Sequence, residues 1–207
     1  MTEPARLLVV CTANVCRSPL AQRVLQDRLP ASVAPLVESA GTRTEEGWAM
    51  CPVSASVLPD PQRDAAYAEA HRSQPVTRRL VEHAGLVLTM EREQRSAIAR
   101  LAPGSQAKVF TLREAAALAS VLQERGTTPV ADLEALARAL HSVRGFAPMP
   151  PLEPVKRRWF QKPVPPEDPL TIVDGHGLPE PEHLAAVETV RSTTEQVAAA
   201  FTALLRG

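Results

Sequence analysis

The segment CTANVCRS, residues 11–18, brings a thiol, a guanidinium and a hydroxyl close together in the chain. Cysteine is a nucleophile in its thiolate form. Arg17 offers a planar fork of N–H donors that matches two oxygens of a phosphoryl group. Ser18 can donate its hydroxyl to the cysteine sulfur and ease the departure of that sulfur as a leaving group. Cys11, Arg17 and Ser18 therefore indicate phosphoryl transfer through a cysteinyl-phosphate.

The flanking sequence must hold this segment in place. The apolar run Leu7–Val10 predicts a buried strand, and Ser18-Pro19 predicts a helix start with Ser18 as the capping residue. That helix should run from Pro19 to about Leu29 and end before Pro30. Backbone N–H groups converge between a strand end and a helix N-terminus, where the helix dipole favours an anion and a thiolate. The predicted phosphate-binding loop consists of Thr12, Ala13, Asn14, Val15, Cys16, Arg17 and Ser18.

Strands and helices alternate along the rest of the chain, and the strands are continuous apolar runs, which is typical of a parallel sheet covered on both faces. The predicted fold class is α/β: a three-layer sandwich with a four-stranded parallel sheet flanked by helices, forming one domain over residues 1–207. Further strands are predicted in APLVESAG (34–41), GLVLTM (85–90) and AKVFTL (107–112), and helices in VSASVL (53–58), QRDAAYAEA (62–70), EREQRSAIARL (91–101) and REAAALASVLQE (113–124).

The region of about residues 126–167 interrupts this alternation before the last helix. DLEALARALHSV (132–143) predicts one helix, and eight of the twenty prolines then fall between Pro148 and Pro169. Such a Pro-rich insertion is expected to lie outside the core. The last helix, Glu180 to Arg206, should dock on the core through apolar residues at helical spacing: Leu184, Val187, Val197, Phe201, Leu204 and Leu205.

Composition limits the possible partners and the compartment. With 23 basic and 23 acidic residues the net charge is zero, which disfavours nucleic acid and anionic membrane surfaces as partners. No stretch is long enough to span a bilayer. The three cysteines argue against a secreted disulfide framework and for a reducing cytoplasm. The expected chemistry needs no metal and no cofactor, and the sequence leaves the oligomeric state open.

The sequence resembles the low-molecular-weight protein tyrosine phosphatases, whose fold is shared by one class of arsenate reductases. The resemblance rests on VCTANVCRSPLA, VESAGTR, HRSQPVT, AGLVLTMEREQRSAIARLAP, EDPL and the final helix. It implies a phosphorylated protein or a small phosphomonoester as substrate. By position it also implies these roles: Cys11 the nucleophile, Arg17 the phosphate clamp, Ser18 the hydroxyl that tunes the thiol, Asn14 the residue that holds the loop, His71 its partner, and Asp168 the general acid and base.

Two positions depart from the family pattern. Ala13 stands where most members have glycine, so a positive φ there would strain the loop. Leu170 stands where most members have an aromatic wall of the substrate slot, so Trp48 and Trp159 are the candidate replacements. Trp159, within RRWF (157–160), is expected at the mouth of the site. Val15, which faces the substrate in this family, favours an aryl leaving group over phosphoarginine.

Alternatives remain open for several assignments. An arsenate reductase that borrows an external thiol, or a non-catalytic phosphate-binding module, would use the same loop. Asp132 and Asp174 compete with Asp168 as the acid, although Asp132 is interpreted as a helix cap and Asp174 as a turn residue. Cys16 either packs as a small apolar residue or protects Cys11 through a reversible disulfide. Cys51 is interpreted as inert or loop-exposed. His71 could be a plain surface residue.

Overall fold

A four-stranded parallel sheet forms the centre of the molecule. The computed structural model describes residues 4–60, 62–147 and 168–205. The strands are β1 (Arg6–Cys11), β2 (Val37–Gly41), β3 (Ala84–Thr89) and β4 (Val109–Thr111), in the order β2-β1-β3-β4. The predicted α/β class with a four-stranded parallel sheet is confirmed.

The apolar runs form strands because both faces of the sheet are buried. Along β1, Leu7 and Val9 belong to one hydrophobic cluster, and Leu8 and Val10 belong to a second cluster on the other face. This alternation follows the period of two that a strand imposes on its side chains. Helices cover both faces, which gives the predicted three layers.

Helices and two short 3₁₀ segments connect the strands. The helices are α1 (Arg17–Arg28), α2 (Pro52–Ser56), α3 (Ala65–Ala70), α4 (Arg78–His83), α5 (Arg92–Leu101), α6 (Leu112–Glu124), α7 (Leu133–Ser142) and α8 (Glu180–Leu204); the 3₁₀ segments are Ala34–Leu36 and Pro103–Lys108. The larger hydrophobic cluster includes residues of α1, α6, α7 and α8, and the smaller cluster includes residues of α4 and α5.

The start of α1 differs from the prediction. Cys16, not Ser18, occupies the N-cap position, and its side chain makes no capping hydrogen bond. Ser18 lies inside the first turn because its hydroxyl is engaged with Cys11 and Asn14. Pro19 still falls within the first turn, where backbone N–H groups have no partner in the helix.

Two other elements differ from their predicted form. The segment expected as a strand from residue 34 begins with a 3₁₀ turn, and β2 starts only at Val37. The short helix α4 was not predicted. It begins after Thr77, whose hydroxyl accepts the Leu80 N–H at 3.2 Å, a side-chain cap of the usual kind.

The first part of the region 126–167 belongs to the core, so the expectation that the insertion lies outside it is wrong there. Helix α7 forms within the stretch predicted as helical, and Asp132 caps it by accepting the Ala135 N–H at 2.7 Å. Leu136 and Leu140 are fully buried in the larger hydrophobic cluster. The Pro-rich stretch 148–167 lies outside the described residues.

The last helix, α8, docks along α1 and α6, as expected. Val187, Val197 and Phe201 are fully buried, but Leu184 is 42% exposed and does not belong to the buried stripe. In the part of the chain that the structure covers, no helix combines the length and the apolar character needed to cross a membrane.

Candidate functional site

Cys11 is the last residue of β1, at the carboxyl edge of the sheet. Its Sγ lies 3.1 Å from the Ser18 Oγ and accepts the Asn14 N–H at 3.2 Å. The thiol is buried. The strand end and the first turn of α1 therefore place a hydroxyl and a backbone donor on the sulfur, as the sequence predicts for a nucleophile that must also depart as a leaving group.

Asn14 holds the loop in a left-handed turn. Its φ of 56° is the only positive value at a non-glycine position among the described residues, so Ala13 does not carry the strain expected there. The Asn14 Nδ2 donates to the Ser18 and Ser39 hydroxyls at 2.9 Å each, and its Oδ1 accepts the Gln74 N–H at 2.9 Å. These bonds tie the loop to β2 and to the segment after α3.

His71 is a hydrogen-bond partner of Asn14, as the family resemblance implies. Its Nε2 lies 2.7 Å from the Asn14 carbonyl oxygen. A carbonyl only accepts hydrogen bonds, so the Nε2 carries the proton. Burial lowers the pKa of His71, partly offset by this hydrogen bond. The surface-residue alternative for His71 is therefore wrong.

The loop is buttressed by the chain that follows β2. Arg43 donates its N–H to the Thr12 carbonyl at 2.8 Å, and Cys51 donates its N–H to the Val15 carbonyl at 2.7 Å. Gly41, at the end of β2, packs so closely that an added Cβ would lie 2.7 Å from the Thr12 carbonyl oxygen. Glycine is therefore required at this position by close approach of the two backbones.

The guanidinium of Arg17 is almost completely buried. It donates to the Thr12 Oγ1 at 3.3 Å and the Ile172 carbonyl at 3.0 Å, and it pairs with Glu91 and with the Asp174 Oδ2, the latter at 2.5 Å. Burial lowers the pKa of Arg17, but Cys11, Asp174 and Glu91 outweigh this, and the pKa is raised. The site thus holds a permanent cation beside the thiol.

Glu91 is a site residue that the sequence analysis missed. It is the N-cap of α5, in a capping box with Gln94, and it also pairs with Arg17. The box can be recognised in the sequence, since an acidic residue precedes the glutamine by three positions. The pairing with a residue 74 positions away in the chain has no local signal.

The candidate acids occupy different places. Asp168 pairs with the Arg92 Nε at 2.7 Å and accepts the Leu170 N–H at 2.9 Å. Its carboxylate therefore binds the residue that follows Glu91 in the chain rather than Arg17. Asp174 forms the predicted turn by accepting the His176 N–H at 3.0 Å, and its other oxygen contacts Arg17. The structure therefore brings Asp174, not Asp168, into direct contact with the predicted phosphate clamp.

The candidate wall residues differ in exposure. Trp48 is 46% exposed, on the buttressing segment between Arg43 and Cys51. Leu170 is only 5% exposed and presents little surface to a substrate, and Val15 is also nearly buried. Trp159 and the rest of RRWF lie outside the described residues, so their predicted place at the mouth stays a prediction.

Cys16 turns away from the loop towards α2 and α8. Its Sγ lies 3.0 Å from the Ser54 Oγ and 3.1 Å from the His183 Nε2, and the Cys51 Sγ lies 3.6 Å from the same nitrogen. A hydrogen bond between the two thiols lowers the pKa of Cys51, whereas the same bond and burial raise the pKa of Cys16. Cys51 is buried, so its interpretation as loop-exposed is wrong. Cys16, Cys51 and His183 could hold a metal ion together with His176.

Comparison with known proteins identifies the family of the chain. Residues 6–121, more than half of the chain, match the family described as low molecular weight phosphotyrosine protein phosphatase. The low molecular weight protein-tyrosine-phosphatase Wzb of Escherichia coli (strain K12) is 37% identical over 104 residues, which are 50% of this chain and 67% of Wzb.

Solved structures of low sequence identity share the fold. The tyrosine phosphatase Wzb from Escherichia coli K30, in complex with phosphate, has a TM-score of 0.57 at 19% identity, covering 99% of this chain and 100% of that one. The YwlE arginine phosphatase from Geobacillus stearothermophilus has a TM-score of 0.59 at 22% identity, covering 95% and 92%. On the family match, and with a cysteine, an arginine and a buttressed loop arranged as described, the chain belongs to the low molecular weight phosphotyrosine protein phosphatases and is a hydrolase.

Proposed function

We propose that the chain hydrolyses phosphotyrosine in proteins through a cysteinyl-phosphate formed on Cys11. One observation carries this proposal: the Cys11 Sγ, at the end of β1, contacts both the Ser18 hydroxyl and the Asn14 N–H. These two donors stabilise a sulfur anion, first as nucleophile and later as leaving group. Family membership supports the reaction class, and the residue roles below are part of the proposal.

The reaction has two displacements at phosphorus. The Cys11 thiolate attacks, the P–O bond to the substrate breaks, and Asp168 donates a proton to the departing oxygen. Water then attacks the cysteinyl-phosphate and gives its proton to Asp168, the S–P bond breaks, and inorganic phosphate leaves. Neither displacement requires a metal, because Arg17 and the loop N–H groups supply the positive charge at the phosphoryl oxygens.

Arg17 must exchange partners when the substrate binds. Glu91 and Asp174 both contact its guanidinium, and the Asp174 side chain is the more exposed, at 40% against 21%. We expect phosphoryl oxygens to take the place of the Asp174 carboxylate, while Glu91 keeps the guanidinium in position. Asp174 would then be a residue that leaves the clamp rather than a proton donor.

Trp48 supports an aryl phosphate as substrate. Its segment is bonded to the phosphate-binding loop on both sides, through Arg43 and Cys51. An exposed indole there could stack on a phenyl ring, an interaction that favours aromatic over aliphatic esters. All three cysteines are free, which fits a reducing compartment such as the cytoplasm.

The test uses Cys11→Ser and matched phosphopeptides. Cys11→Ser should lose turnover of p-nitrophenyl phosphate and of a phosphotyrosine peptide, while inorganic phosphate should still raise its Tm because the loop donors remain. The wild-type protein should cleave the phosphotyrosine peptide faster than the same peptide carrying phosphoarginine. Substantial turnover by Cys11→Ser would overturn the assignment of the nucleophile, and a preference for phosphoarginine would overturn the substrate class.

A further inference from the structure

Four potential metal ligands converge beside the phosphate-binding loop. Cys16, Cys51, His176 and His183 place one donor atom each within 4.8 Å of one another. Cys16, Cys51 and His183 are buried, and His176 is exposed. The four donors come from four places in the fold: the N-cap of α1, the N-cap of α2, the turn before α8 and the first turn of α8.

The donor set identifies the class of ion. Two thiolates and two imidazoles form one of the standard tetrahedral sets for structural zinc, whereas Mg²⁺ and Ca²⁺ require oxygen ligands. We propose that Cys16, Cys51, His176 and His183 bind a Zn²⁺ ion that joins the phosphate-binding loop to the start of α8. This inference does not depend on the proposed function, because none of these side chains is assigned a role in phosphoryl transfer.

The distances suit a tetrahedral ion. With Zn–S of about 2.3 Å and Zn–N of about 2.0–2.1 Å, tetrahedral angles place sulfur and nitrogen ligands about 3.5 Å apart. The His183 Nε2 lies 3.1 Å from the Cys16 Sγ and 3.6 Å from the Cys51 Sγ, so the same nitrogen already faces both sulfurs. All four donor atoms lie within 4.8 Å of one another, so small side-chain rotations would bring them to this spacing. The Ser54 hydroxyl donates to the Cys16 carbonyl at 3.0 Å and also lies 3.0 Å from the Cys16 Sγ, so Ser54 helps to hold this ligand in place.

The turn before α8 packs very closely against α8. An added Cβ on Gly175 would lie 2.9 Å from the His183 Cα and 2.8 Å from the Ala186 Cβ, so only glycine lets this turn lie against α8. The rings of His176 and His183 consequently meet edge to face, with centroids 5.7 Å apart. Gly175 therefore brings the fourth ligand over the other three.

Binding of Zn²⁺ would hold in place the turn that contacts Arg17. His176 follows Asp174 by two residues and donates its N–H to the Asp174 carboxylate at 3.0 Å. A Zn²⁺ ion held by His176 and by Cys16 would fasten the turn that carries Asp174 to the loop that carries Arg17. It would also occupy the Cys16 sulfur, for which a reversible disulfide with Cys11 is one of the two interpretations left open by the sequence.

Cobalt binding tests the site directly. Co²⁺ is added to the reduced protein after removal of bound metal, and one ion should bind per chain. The spectrum should show the visible bands of tetrahedral Co²⁺ and a charge-transfer band from thiolate to Co²⁺. Zn²⁺ should displace the Co²⁺. The charge-transfer band should fall by about half in Cys51→Ser, which removes one of the two sulfur ligands. Cys11→Ser, the matched control, should keep it. Octahedral Co²⁺, or a band that disappears in Cys11→Ser and persists in Cys51→Ser, would overturn the proposal.

A second measurement needs no variant. Saturating Zn²⁺, at about a hundredfold excess over its Kd, should raise the Tm of the wild-type protein by roughly 5 to 10 °C. Zn²⁺ should also protect Cys16 and Cys51, but not Cys11, from alkylation, as read by peptide mass spectrometry. Protection of Cys11 instead, or equal alkylation of all three thiols with and without Zn²⁺, would refute the site.

Discussion

At the scale of single residues, Arg17 shows how the site is assembled before any phosphate arrives. A buried guanidinium is costly without anionic partners. Glu91 and Asp174 supply these from the start of α5 and from the turn before α8. Arg17, the proposed phosphate clamp, is therefore held in place by carboxylates from segments far apart in the chain, and we expect the substrate to displace one of them.

The assignment of the general acid gives a prediction for two aspartates. Asp168→Asn should slow hydrolysis of esters with poor leaving groups, such as unactivated phenols, by about a hundredfold to ten-thousandfold, because general acid catalysis is worth that much. The effect on p-nitrophenyl phosphate should be smaller, since p-nitrophenolate departs without protonation. Steady-state rates on a series of aryl phosphates measure the difference.

Asp174→Asn serves as the comparison in the same series. Loss of the Asp174 carboxylate should leave the dependence of the rate on the leaving group unchanged. It should lower the inhibition constant for inorganic phosphate, because one competitor for Arg17 is removed. The reverse pattern, with the leaving-group effect confined to Asp174→Asn, would make Asp174 the acid and Asp168 a partner of Arg92.

His71 gives a prediction for stability against pH. Because its pKa is lowered in the folded state, mainly by burial, the unfolded chain takes up the proton first as the pH falls. The contribution of a neutral His71 to stability is therefore complete above about pH 6.5, the ordinary histidine value, and is lost as the pH falls towards the folded pKa. His71→Gln keeps an N–H donor for the Asn14 carbonyl but does not titrate. Urea unfolding of this variant should lose less stability between pH 7.5 and 5.5 than the wild type, and identical losses would contradict the assignment.

At the scale of elements, the strand, the loop and the first helix were predictable because each depends on local sequence. The apolar run before Cys11 and the stop at Pro30 place β1 and α1 within about two residues. The Ser18 cap was wrong because a contact with Cys11 and Asn14 outweighs the local capping preference. Helix α4 was missed because it is one short helix with little apolar periodicity of its own.

Gly41 tests how closely β2 supports the loop. Gly41→Ala would place a Cβ 2.7 Å from the Thr12 carbonyl oxygen and 3.0 Å from the Ala13 carbonyl carbon, both backbone atoms that cannot move without shifting the loop. Overpacking of this kind costs about 1–3 kcal/mol, so both the Tm and kcat/KM should fall. Gly104→Ala is the control, since an added Cβ there meets nothing within 4 Å and its φ is not positive. Equal behaviour of the two variants would show that the loop does not rest on Gly41.

At the scale of the whole molecule, the sequence could not reveal contacts between distant segments. His183 meets Cys16 and Cys51 across 167 and 132 positions, and only the folded chain brings them together. The resemblance to known phosphatases located Asp168 by position, but nothing in the local sequence indicated that Asp174 would reach Arg17. Likewise, the Pro-rich composition after Val143 led to the expectation that the whole region lies outside the core, although α7 belongs to it.

The place of α7 in that core gives the last prediction. Leu140 is fully buried in the same hydrophobic cluster as α6 and α8, whereas Leu184 on α8 is 42% exposed. Leu140→Ala should cost about 2–5 kcal/mol, as large-to-small changes in a packed core do, which corresponds to a fall in Tm of about 5 to 15 °C for a chain of this size. Leu184→Ala removes the same atoms from the surface and should change the Tm by little. Calorimetry should show one transition that moves as a whole in Leu140→Ala, because α7 and the sheet share one core. A separate early transition, with the main one unmoved, would instead make α7 an appendage that unfolds on its own.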